Sequence, residues 1–107
     1  MTAAPWNERL RVAATEEEVV ELANRYVRSL ESFEVAMLPA RCRPRAMLCA
    51  HDVSTYAFEL LGHYCEASDA SARLVQGLAV FFTAAATRLS EIVSDTNVRE
   101  AGARRPA

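Results

Sequence analysis

Sulfur and imidazole are the side chains of this sequence with the most chemistry of their own. Cys49-x-His51 and His63-x-Cys65, with Cys42 close by, supply the donor types that zinc takes. Their spacing works against a shared ion. Residues two apart on a helix of about 3.6 residues per turn point roughly 200° apart, so His63 and Cys65 diverge on any helix that carries both. The expectation is therefore no metal and no cofactor. Three cysteines, an odd number, and no secretory leader in MTAAPWNERLRVAATEEE predict reduced thiols rather than a disulfide frame. A second cluster is Arg41, Cys42, Arg43 and Arg45 between two prolines. Flanking guanidiniums would favour the thiolate of an exposed Cys42. The same arginines suit a phosphate or an acidic partner, although a solvated basic loop explains them as well.

The third set is His51-Asp52-x-x-Thr55. A histidine, an acid after it and a threonine at the fourth position on resembles the phosphoacceptor motif of histidine-kinase dimerisation and phosphotransfer domains. Arg88-Leu89-Ser90-Glu91-Ile92-Val93-Ser94-Asp95 is similar to the arginine-leucine pattern closing their second helix. The resemblance covers residues 48 to 95. It implies a helical hairpin that dimerises into a four-helix bundle, with His51 accepting a phosphoryl group and Asp52 assisting as base. Tyr56 stands where a proline commonly follows in that family, and no ATP-binding sequence follows. Read from the residues alone, Asp52 caps a helix and His51 merely precedes it.

The elements that must carry these groups are helices. From Leu74 to Val93 the chain places Val75, Leu78, Phe82, Ala85, Leu89 and Ile92 at alternating spacings of three and four, a continuous apolar seam. Leu74 and Phe81 widen it. Val80, Ala84 and other small or apolar residues make the far side nearly apolar too, which predicts a central helix over 70–94, capped by Ser68-Asp69. Thr15 with Glu18 fits a capping box. From there Val19, Ala23, Tyr26, Leu30, Phe33 and Met37 repeat at four and three, predicting a helix over 16–30 and a further turn over 32–38 that Pro39 ends. Val53, Tyr56, Ala57, Leu60, Leu61 and Tyr64 predict a third helix over 53–66, with Asp52 as its cap. Residues 1–14 read as an N-terminal arm in which Trp6, Leu10 and Val12 can lie against the 15–95 domain. Residues 96–107 read as a fraying tail.

The expected fold is thus an all-α bundle of three main helices, completed by a second copy of the chain because the central helix has more apolar surface than the other two can cover. A net charge of −2 over 107 residues gives no pull on nucleic acid or an anionic membrane. Residues 74–86 are short of the ~20 a membrane span needs. The chain is expected to be cytoplasmic. No phosphate cradle, nucleophile triad or inward carboxylate pair is visible, so enzymatic activity has no positive support. The expected function is protein–protein interaction, first with itself, through Leu74, Val75, Leu78, Val80, Phe81, Phe82 and Ala84. The alternative is phosphorelay through His51.

Overall fold

The predicted seam of the last long helix forms as read. In a computed structural model, which describes residues 4–63 and 71–103, this helix runs Ala72–Ala103. Before it come Ala4–Val12 (α1), Glu16–Arg28 (α2), Ser32–Ala36 (α3), a 3-10 turn at Ala40–Cys42 and Ala50–His63 (α4), and the last helix is α5. The protein is all-α, with no strand among the described residues. Val75, Leu78, Phe81, Phe82, Ala85 and Leu89 of α5 are buried, and α4 is its most extensive neighbour, with α1 and α2 beside it. α5 carries on past the expected stop at 94 because Ser94-Asp95-Thr96 holds neither glycine nor proline. Its stretch Ala72–Thr96 has a mean hydropathy of 1.2, so by length and composition it would reach across a bilayer.

The described part of the N-terminal segment, from Ala4 onward, packs on the bundle. Trp6, Leu10 and Ala13, at spacings of four and three, are buried on one side of α1 and its end, while Val12, expected inside, is exposed. The Trp6 ring meets Tyr26 edge-on at 5.4 Å and Phe81 at 6.0 Å, and Tyr26 stacks on Phe81 at 4.2 Å. Aromatic pairs of this kind contribute about 0.5–1.5 kcal/mol each beyond the area they bury. The end of α1 is tied down from far along the chain. Arg88 of α5 donates from Nε (3.0 Å) and Nη2 (2.7 Å) to the carbonyl of Ala13, one of the acceptors a helix C-terminus leaves open.

α2 starts as the capping pattern predicts, with Glu18 N–H donating to Thr15 Oγ1 at 3.2 Å. The return bond differs by one residue: the Glu18 carboxylate accepts from Ala14 N–H at 3.1 Å. α2 ends at Arg28, where Ser29 N–H and Oγ both bond back into the last turn. The chain then loses its helical phase, and the expected continuous seam breaks. Phe33 is 66 % exposed and Met37 49 %, while Leu38 takes the inward position instead. In α4, Val53, Tyr56, Ala57 and Leu60 are buried, but Leu61, expected in the same stripe, is exposed. Tyr64, Cys65 and the Ser68-Asp69 cap lie outside the described residues.

Candidate functional site

α2 has two working faces. Val19 and Ala23 are buried in the core, whereas Val20, Asn24 and Val27 form a second stripe one step round the helix. Against that stripe lies the segment leading into α4. Two bonds hold it there: Asn24 Nδ2 donates to the Met47 carbonyl at 2.9 Å, and Met47 N–H donates to Asn24 Oδ1 at 2.8 Å. A primary amide has the donor and acceptor of a peptide group side by side, so Asn24 pairs with Met47 as a neighbouring strand would. One residue on, Leu48 N–H donates to Asp52 Oδ2 at 2.8 Å, which sets the start of α4.

The result is a groove of about 710 Å³ between α2 and residues 46–50. Its apolar lining is Val20, Val27, Met47 and Ala50, with Leu48 at the lip, 86 % exposed. Glu16, Glu17 and Glu21 line one end, and Arg28 lines the other. Glu21 is already paired with Arg25 at 2.8 Å, so Glu16 and Glu17 carry most of the field at that end. From Glu16 to Arg28 the helix rises about 18 Å at ~1.5 Å per residue, the length of three helical turns of a partner. The groove holds Cys49, an exposed thiol, but no acid–base pair or nucleophile with a base in reach is seen among its described contacts.

The residues singled out from the sequence are scattered across the molecule. Val75, Leu78, Phe81 and Phe82 lie inside the chain's own core; Leu74 and Ala84 are half-buried, and Val80 is 47 % exposed. α1, α2 and α4 of the same chain thus cover most of the α5 face that the sequence offered to a partner. Gly77 faces the Tyr26 hydroxyl, which a Cβ there would meet at 3.3 Å.

His51 is exposed in the first turn of α4, with Nε2 3.4 Å from Thr55 Oγ1. Asp52 sits inside that turn rather than before it, and one of its oxygens accepts from Leu48 N–H. Arg41, Arg43 and Arg45 do come together, on a different face, beside Glu59 and His63. Cys42, in their midst, is buried, with its sulfur 3.9 Å from the His63 carbonyl. Tyr56 O–H donates to the Cys42 carbonyl at 2.6 Å, and burial, helped by Cys42 and Glu59 nearby, pushes its pKa well above the ordinary range. Among the described residues no three of His, Cys, Asp and Glu gather as a metal would need.

Asn24, Val20 and Val27 are the functional candidates that sequence reasoning missed. The signal was there as a second apolar pair, Val20 and Val27, seven apart with an amide between them on the same face. The chain matches no protein-family model, no curated protein and no solved structure.

Proposed function

We propose that the protein is a non-enzymatic interaction module that takes an amphipathic helix of a partner protein into the groove between α2 and residues 46–50. The observation that carries this is an apolar floor with acidic residues at one end and Arg28 at the other. An occupant with leucine-type anchors on one face and basic residues near Glu16 and Glu17 satisfies both features. The charged ends fix its direction and speed its arrival more than they add affinity. The test uses two labelled helical peptides with the same leucine pattern, one flanked by lysines and one by glutamates. Anisotropy should show the lysine peptide binding about tenfold more tightly at low salt, and Leu48→Glu should weaken it. Equal binding of both peptides, or no saturation on the order of 100 µM, sinks the proposal.

A second reading stays attached to His51, because its ring is exposed on an ordered helix, as phosphoryl transfer to it requires. Against it, Asp52 is engaged in starting α4. Incubation with acetyl phosphate or a phosphorylated response regulator, with His51→Ala as control, decides it. The absence of any His51-dependent label removes this reading.

A further inference from the structure

The loop that carries the three arginines folds against the last two turns of α4 and makes an open cleft of about 520 Å³, lined by Arg41, Arg43, Arg45, Glu59 and His63. Three arginines and one carboxylate are among its lining residues, a formal excess of two positive charges. That carboxylate is loosely held: Arg45 Nη2 and Glu59 Oε2 are 3.8 Å apart. Arg41 is exposed and has no carboxylate partner among the described residues. Arg43 is different. Its Nε donates to Leu38 O and its Nη2 to Ala36 O, both at 3.2 Å, so it anchors the loop to the end of α3 while its charge stays beside the cleft.

The two walls are joined behind the cleft. Tyr56 of α4 donates to the Cys42 carbonyl at 2.6 Å, and the Cys42 sulfur lies against the His63 carbonyl. The backbone that presents Arg41 and Arg43 is therefore set before any ligand arrives, which reduces the entropy lost on binding. Guanidiniums match tetrahedral oxyanions with paired N–H bonds, and a phosphate monoester carries about −1.5 to −2 charge at pH 7, close to what the cleft leaves unbalanced. The end of α4 brings partial negative charge, so the anion belongs on the loop side, over Arg41 and Arg45.

We propose that this cleft binds a soluble phosphate monoester, gripped by Arg41 and Arg45, with Arg43 as a fixed positive charge and His63 at its edge. The site is independent of the groove on α2. The experiment titrates phenyl phosphate, and separately benzoate at matched ionic strength, into the isotope-labelled full chain and follows the amides of residues 40–43, 45 and 59–63. Phenyl phosphate should give saturable shifts, with benzoate at least about tenfold weaker. Arg41→Gln with Arg45→Gln, both exposed and so compatible with the fold, should weaken phenyl phosphate about tenfold at unchanged helix content. Leu48→Glu, in the other groove, should leave it unchanged. Equal shifts from benzoate, or no loss in the double variant, overturn the proposal. So does binding confined to phosphatidylcholine vesicles carrying phosphatidic acid, because the ligand would then be a lipid headgroup.

Discussion

Asn24 and Met47 make a peptide-like pair out of one side chain and one backbone unit, and that pair positions the whole segment entering α4. Asn24→Ala removes both bonds and leaves the Met47 peptide group half-buried without them. The expected loss is about 2 kcal/mol of unfolding free energy, read by urea denaturation. Asn24→Asp keeps the acceptor and turns a carboxylate on the Met47 carbonyl, so it should lose at least as much. A loss under about 0.5 kcal/mol in both variants means the segment is held by packing alone. A second expectation concerns alkaline pH. Burial raises the pKa of Tyr56 and of Tyr26 above the ordinary 10.0. Above that value the unfolded chain releases tyrosine protons that the folded chain keeps, so stability should be flat at lower pH and fall as pH rises past about 10. The chain has no lysine, and its 12 basic residues, all arginine, keep their charge there. Tyr56→Phe should flatten that fall in denaturation curves taken between about pH 8 and 11, and an unchanged slope would remove Tyr56 as its source. Neither feature was legible in the sequence. An asparagine inside a helical stripe gives no sign of its partner 23 residues on, and a tyrosine at helical spacing does not announce a buried hydroxyl.

At the scale of elements, periodicity carried most of the information where a helix is long and one face is deeply packed. The seam of α5 is the plainest case, and Phe82, fully buried and edge-on to Tyr56 at 4.7 Å, is its centre. Phe82→Ala should cost about 3–5 kcal/mol and lower the thermal midpoint steeply, measured by circular dichroism. A cost near 1 kcal/mol would mean that the cavity collapses around the site. Periodicity failed where a local bond resets the phase. Ser29 closes α2 with three backbone acceptors in reach, and from that point the sequence spacing of Phe33 and Met37 no longer tracks the core. It was also too weak for α1, whose nine residues show the inward spacing of Trp6 and Leu10 only once Ala13 is counted with them. The interaction groove needed two elements at once, and the 46–50 side of it has no helical or alternating pattern to read.

For the whole molecule, the composition pointed to an ordinary globule and the chain buries one continuous core across four of its helices. The expectation of a second copy rested on apolar surface left over on α5, and α1 covers much of it. Val80 is the largest apolar side chain of α5 still substantially exposed between Ala72 and Ser90. Val80→Glu should therefore leave both the fold and the sedimentation behaviour unchanged, with native and variant chains alike running as monomers at tens of micromolar. A native dimer that this change splits would restore α5 as a twofold contact. The double bond from Arg88 to the Ala13 carbonyl spans 75 residues of sequence. Its consequence belongs to the order in which the chain is made. The α5 side of this docking leaves the ribosome well after α1, so Trp6 emerges long before its aromatic neighbour Phe81. A nascent chain truncated before residue 80 should show Trp6 fluorescence as red-shifted as in urea, and release of the full chain should bring the blue shift.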